Sequence, residues 1–413
     1  MPPIEVSHVT NGNSIIHPNE GEKMIEADLP PTGYQRQKST SSENERKARQ
    51  RRLAMPLQYQ RMYQSVSEDV RPSVIGQTEE DFRPEAASKA LRTALSGIQS
   101  DDKTIIQILV SHTNFQRQKI ANSYEVMYSR NLASDIEEEA GGYFLDATLA
   151  LLQPAHVYSA RILHRALSGR SSNRSIAVEI GLTNSVAQLK VIRDAYLSEY
   201  NISLEKDLSQ KVEGLFGKML QLILLRNSDP DDVDLESTDN FVSLLSKSEH
   251  GLEELGRNIE LFQKVIANRG LNNMRAFVER YDQHITNTRN SNETISDNSK
   301  SRDFESVLRR SVNIHTEIKQ LLLMYAKISR NMQLYFAEKL HDANSPGSSP
   351  DHASIIRILV TRSEIDLHDI CDEYKKRYTK NVILDLQQTC SGEFLRLLNL
   401  LVNPSETSDD VFS

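Results

Sequence analysis

Cysteine is nearly missing from this chain. Among 413 residues only Cys371 and Cys390 occur, which excludes a disulfide framework or a cysteine-based zinc site and suits a reducing compartment. No apolar run approaches the roughly 18 residues of a membrane span, and no charged-then-apolar leader opens the sequence. Positive charge is short as well. The formal balance is −8, which argues against a general nucleic-acid binder because neutralising phosphates takes a basic face. Catalytic signatures are lacking too: there is no H-E-x-x-H, no G-x-x-x-x-G-K-[ST], no G-x-S-x-G, and the eleven histidines are scattered. These absences predict a cytoplasmic protein that is not an enzyme and takes no small-molecule substrate.

What the chain does have is an internal repeat. Residues 105–128, "IIQILVSHTNFQRQKIANSYEVMY", and 355–378, "IIRILVTRSEIDLHDICDEYKKRY", align without a gap through Ile105/Ile355, Ile106/Ile356, Ile108/Ile358, Leu109/Leu359, Val110/Val360, Ile120/Ile370, Tyr124/Tyr374 and Tyr128/Tyr378. A shift of 72 pairs Ile120, Tyr124, Tyr128, Asp135, Gly142 and Phe144 with Ile192, Tyr196, Tyr200, Asp207, Gly214 and Phe216. A shift of 157 recovers a third, more divergent copy around Tyr281. The agreeing positions are mostly apolar and spaced as helix stripes, so what repeats is a buried pattern. Within the first copy, Ala87, Ala90, Leu91, Ala94 and Leu95 share one face, and "DDKTIIQILVSH" restarts with carboxylates at a helix N-terminus. Five short helices per copy, four times over, predict an all-α array.

The first 84 residues differ. They hold eight of the thirteen prolines and no sustained helical period, so they are expected to form a flexible head. Residues 36–61 carry eight Arg or Lys against two Glu, a local balance of +6 that includes Arg46, Lys47, Arg49, Arg51 and Arg52. Such a run suits an anionic lipid surface, a nuclear import signal or simple solvation, and the head is open to a protein partner.

The stretches "ALSG…DDKTIIQILVSHTNFQRQKI", "ILHRALSGRSSN", "LEKDL" and above all "YFAEKL…IIRILVTRSEIDLHDICDEYKKRY…CSGEFLRLLNLLV" resemble the annexin family over roughly residues 85–403. The resemblance implies four annexin-type repeats of about five helices, at 85–155, 156–232, 238–313 and 314–403, with a tail at 404–413. It also implies calcium-dependent attachment to acidic phospholipid, peripheral to the membrane. In that family a glycine-bearing loop after the first helix offers backbone carbonyls to calcium, and a carboxylate about 40 residues on closes the site. Calcium takes six to eight oxygens, so a site short of carboxylates is weak until lipid joins it.

On that pattern repeat 1 keeps the most. The carbonyls of Leu95, Gly97 and Gln99 with the carboxylate of Glu139 form the expected calcium site, Ser100 and Asp102 a weaker neighbouring one, and Gln99 replaces a glycine. Repeat 2 has Ser171 at the second glycine and Lys211 at the acid position, so no calcium is expected there. Repeat 3 keeps Gly256, with Asp297 as a weak candidate acid inside the polar insertion "TNTRNSNETISDNSKSRD", and repeat 4 has Thr389 at the acid position. Ile98 and Leu255 are the expected loop-tip membrane contacts. Arg269 and Arg362 are expected to satisfy loop carbonyls, a task for which repeats 1 and 2 have His112 and Asn184 instead. Two alternatives accompany this reading: lipid attachment without calcium through the basic head, and an interaction scaffold that has lost lipid binding.

Overall fold

The computed structural model describes residues 57–62, 70–96, 100–168, 173–228, 233–247, 250–267, 270–291, 303–345 and 349–404, and every regular element among them is helical. A short helix, α1 (Leu57–Met62), precedes the array. Repeat 1 consists of α2 (Pro84–Leu95), α3 (Asp102–Ser111), α4 (Asn114–Tyr128), α5 (Leu132–Glu139) and α6 (Gly142–Leu152). Repeat 2 consists of α7 (Ala155–Ser168), α8 (Arg174–Thr183), α9 (Val186–Tyr200), α10 (Leu204–Lys211) and α11 (Gly214–Leu224). Repeat 3 has α12 (Leu235–Ser246), a 3-10 helix (Gly251–Gly256), α13 (Ile259–Phe262) running on as a π-turn (Gln263–Ala267), α14 (Leu271–Ser291), α15 (Phe304–Arg310) and α16 (Thr316–Arg330). Repeat 4 has α17 (Met332–Ala343), α18 (His352–Arg362), α19 (Leu367–Tyr378), α20 (Val382–Thr389) and α21 (Gly392–Val402). Residues 316–330, assigned from sequence to the fourth repeat, thus form the last helix of the third.

Local chemistry sets these boundaries. Asp101 and Asp351 accept from the backbone N–H groups of Thr104 (3.2 Å) and Ser354 (3.0 Å), capping α3 and α18. Thr113 with Gln116, and Ser185 with Gln188, form reciprocal capping boxes on α4 and α9. The same helices end in a left-handed residue, Ser129 and Asn201, as α19 does in Thr379. Gly142, Gly214 and Gly392, at the first position of the last helix in their repeats, have φ of +59°, +76° and +60°. That conformation, which Gly adopts at little cost, explains why these three glycines align.

The repeated tyrosines and aspartates explain each other. The Tyr124 and Tyr374 hydroxyls donate to Asp135 and Asp385 at 2.6 and 2.5 Å, and Tyr196 donates to Asp207 in the same way, pinning the third helix of a repeat to its fourth. One turn on, Tyr200 and Tyr378 stack on His164 and His341 at 3.9 Å between centroids. In repeat 1 the guanidinium of Arg92 takes the histidine's place over Tyr128.

Repeats 1 and 4 pack together through α3, α6, α18 and α21, and repeats 2 and 3 through α8, α11, α13 and α16. Buried charge ties the units. Arg117 donates to Glu364 at 2.8 Å across the interface of repeats 1 and 4. Arg357 and Tyr335 of repeat 4 both donate to Glu179 of repeat 2. Part of the stretch read as a flexible head lies on this core. Arg71 donates to Asp369 and Asp372, the Ser73 and Val74 amides to the Ser363 carbonyl at 2.9 Å, and Gln77 exchanges bonds with Gln116. Met62 of α1 accepts from Gln188 at 2.7 Å.

The arginine assignments change in the structure. Arg362 forms a buried bidentate pair with Asp366 at 2.7 and 2.6 Å instead of serving carbonyls, and Arg269 lies outside the described residues. In repeats 1 and 2 the carbonyls at the end of the second helix are served by Arg117, on Leu109 and His112, and by Arg226, on the equivalent Gly181 and Asn184. The sequence reading missed both arginines. Arg117 approaches from α4 and Arg226 from the segment after α11, so no alignment of repeats brings them into register.

Candidate functional site

In each repeat the fourth helix, at whose end the resemblance expects an acid, packs against the first helix or, in repeat 3, against the 3-10 helix that follows it. Repeat 1 shows how. Arg92 on α2 donates to Asp135 on α5 at 3.2 Å, setting the C-terminal end of α2 beside α5. Arg130 also pairs with Asp135 and with Glu138, at 2.7 and 3.0 Å. Arg130, helped by the bonds from Tyr124 and by Arg92, outweighs burial and holds Asp135 below the usual carboxylate range. Glu139 is exposed and makes no hydrogen bond or ion pair among the described residues.

A helix C-terminus leaves its last four carbonyls without intrahelical partners. On α2 those of Arg92, Thr93 and Ala94 accept from the Ser96 hydroxyl, the Ser96 amide and the Asp101 amide. The carbonyl of Leu95 has no such partner among the described residues. A backbone carbonyl at the loop entrance and the exposed Glu139 carboxylate at the end of α5 are oxygen donors of the kind calcium takes, so this donor set fits the ion. Gly97, Gln99 and Ile98 lie outside the described residues. Ser100 donates to Asp102 at 2.7 Å and Asp101 is engaged as the α3 cap, so the weaker neighbouring pair is tied into the turn. No group of three or more His, Cys, Asp or Glu side chains is placed to hold a metal among the described residues.

In the other repeats a protein group closes the same gap. In repeat 2 the Lys211 ammonium donates to Ser168, the last residue of α7, and to Asp207, both at 2.8 Å, with His164 Nε2 at 3.4 Å. In repeat 4, Thr389 donates to Asn344, the residue after α17, and the Thr389 carbonyl meets His352 Nε2 at 3.2 Å. In repeat 3, Ser311 and Asn313 donate to the two oxygens of Glu253 at 2.7 and 3.1 Å. Glu253 is buried, which by itself would raise its pKa, but these bonds and His250 outweigh burial and hold it below the usual range.

Repeat 3 corrects one expected contact. Leu255 is fully buried, not a loop tip. The ungapped shift fails because 12 residues separate α12 from α13, against six between α2 and α3, and the extra length folds into the 3-10 helix. Gly256 is kept for packing: a Cβ there would stand 2.7 Å from Ile314. The third helix, at 21 residues against 15 in α4, also absorbs the start of the polar insertion, and Asp297 lies outside the described residues. The basic residues Arg46, Lys47, Arg49, Arg51 and Arg52 lie outside them as well. No helix among the described residues is long and apolar enough to cross a membrane.

A family profile described as Annexin matches residues 85–151, 158–223 and 335–401, passing over the third repeat. Annexin A5 of Cynops pyrrhogaster is 32% identical over 322 residues, 78% of this chain and 94% of that protein. Annexin A5 of Homo sapiens is 30% identical over 321 residues, with the same coverage. Among solved structures, annexin III superposes with a TM-score of 0.70 at 27% identity, covering 81% of this chain and 98% of that one. Chicken annexin V in complex with Zn2+ superposes at 0.69 with 28% identity, covering 81% and 99%. A calcium-bound annexin (Sm)1 shares the fold at 22% identity, with a TM-score of 0.68 and coverage of 85% and 97%. With its helices, repeats and relatives agreeing, this chain belongs to the annexin family.

Proposed function

We propose that this protein attaches peripherally to acidic phospholipid in a calcium-dependent manner, and that repeat 1 carries the calcium site. The observation that supports it is the contrast among the four loop-and-helix pairs. Lys211 is bonded to the last residue of the first helix of its repeat, and Ser311 with Asn313 and Thr389 to residues that follow the first helix of theirs, whereas Glu139 is committed to nothing described. The Leu95, Gly97 and Gln99 carbonyls with the Glu139 carboxylate would hold the ion, and lipid phosphate would complete its shell. One charged ligand makes the site weak in the absence of lipid. The test is co-sedimentation with phosphatidylserine vesicles over a calcium titration. Glu139→Gln keeps the side chain's size and removes its charge, so half-maximal binding should move to markedly higher calcium. An unchanged calcium curve would overturn the assignment of repeat 1.

The +6 balance of residues 36–61 supports a second, calcium-free mode of attachment through the head. A chain beginning near residue 85 would then lose much of its salt-sensitive sedimentation in chelator while keeping the calcium response.

A further inference from the structure

Repeat 3 differs from the others in both of its loops, and the two differences meet. Five residues, 311–315, connect α15 to α16, whereas two connect α5 to α6 and α10 to α11. The longer connection is not slack. Ser311 and Asn313 both bond to Glu253, Arg257 donates twice to the Asn313 carbonyl at 3.2 Å, and Lys319 donates to the Ser311 carbonyl at 2.6 Å. Between the two pinned residues stands Val312, 84% exposed and the most exposed large apolar side chain among the described residues.

A single exposed valine is ordinary on a protein surface. Here it is held out at the tip of a hydrogen-bonded loop, and its surroundings are specific. The 3-10 helix packs against both α12 and α15. The last turn of α12 exposes Leu244, at 52%, and Lys247 follows it. Arg309 and Arg310 are exposed at the end of α15, and Arg257 is half exposed beside Val312. Facing these are Glu254 and Glu305, which pair with Arg257 and Arg309, while Glu253 is buried inside the loop. Lys247 and Arg310 are exposed and form no ion pair among the described residues. Apolar tips flanked by cations are what a side of a protein needs to sit in an anionic bilayer interface.

We infer that the 311–313 loop of repeat 3 is a membrane contact that works without calcium, Val312 entering the headgroup region of an acidic bilayer while Lys247 and Arg310 meet lipid phosphate. Glu253 makes this independent of metal, because hydrogen bonds inside the protein hold the loop in shape. The inference rests on the reading above in one respect: the tip occupies the end of its repeat that corresponds to the Glu139 end of repeat 1.

The chain has no tryptophan, so one introduced at the tip reports on its own surroundings. Val312→Trp, made in the full chain, is mixed with phosphatidylserine-containing or pure phosphatidylcholine vesicles in chelator, and then with calcium. Val126→Trp, at another exposed valine in the middle of the repeat 1 array, is the control. The expected result is a shift of Val312→Trp emission to shorter wavelength, with quenching by brominated lipid, on acidic vesicles in chelator and no change for Val126→Trp. Val312→Asp should reduce sedimentation in chelator. An unshifted tryptophan in chelator overturns the inference, even if the basic head carries the protein to the vesicle; sedimentation with calcium under those conditions leaves the repeat 1 reading standing. A shift in chelator without any calcium response supports the inference and overturns that reading instead.

Discussion

At the scale of single residues, the buried polar groups are placed by what they satisfy. His112 is 1% exposed, and its Nδ1 lies 2.7 Å from the Ile108 carbonyl, four residues back. Asn184 makes the equivalent bond to Ile180 at 2.9 Å in repeat 2, with an amide that does not titrate. Burial pushes His112 down to about 4 and the Arg117 guanidinium adds to this, while the carbonyl bond acts the other way. In the unfolded chain this group titrates near 6.5. As pH falls through that value the unfolded state takes a proton that the folded state refuses. Stability from this group is therefore full above 6.5 and is lost progressively down to about 4, by about 3 kcal/mol. His112→Asn should make the fall of the urea midpoint shallower in that window. A variant whose pH profile parallels the parent's would show that His112 is protonated in the fold. The identity of residue 112 was legible in the sequence, but its bond and its burial were not, since both depend on the turn that Arg117 closes.

At the scale of elements, the fourth helix of each repeat is one design with different last residues. Leu132, Leu204, Phe304 and Val382 anchor its start in the core. Its far end carries Glu139, Lys211, Ser311 or Thr389. A carboxylate there attracts a cation, whereas the Lys211 ammonium supplies one of its own and spends it on Ser168 and Asp207. Lys211→Glu removes that internal cation and restores an acid at the end of α10. Vesicle sedimentation of this variant should need less calcium than the parent. If the calcium curve does not move, the loop itself and not the ammonium keeps repeat 2 from binding. The stripes of these helices were readable because the apolar period is local. Which loop each helix end touches was not, because the partners are 43 to 58 residues away along the chain.

At the scale of the whole molecule, a few buried polar links hold the repeats in place. Arg117 serves three carbonyls and Glu364, and Glu364 also accepts the Asn114 amide at 2.7 Å. Removing one partner of such a pair leaves the other charge buried and unpaired. Glu364→Ala should lower stability by about 3–5 kcal/mol in urea unfolding, without loss of helix signal in the native state. A midpoint equal to the parent's would mean that solvent reaches Arg117. The 70–77 segment adds a second clasp over repeats 1 and 4, and Gly76 permits it: at φ +77° a Cβ would stand 2.4 Å from Thr113 Cγ2. Composition grouped this segment with the head because the first 84 residues together hold eight prolines and no sustained helical period. Its anchors, Asp369, Ser363 and Gln116, lie far along the chain and could not be inferred from its own residues.

The sequence by itself determined the helices, their number per repeat and the core, because apolar spacing, capping residues and the three left-handed glycines act over a few positions. It also aligned Glu139 with Lys211 at the end of the fourth helix, since an ungapped repeat keeps register. Tertiary structure decided the fate of the other loops. In repeat 3, longer connections on both sides broke the register, buried Leu255 and pushed Val312 outward. In repeats 2 and 4 the polar replacements became internal bonds. A hydrogen-bonding side chain has several partners within reach in an unfolded chain, and only the packed helices choose among them.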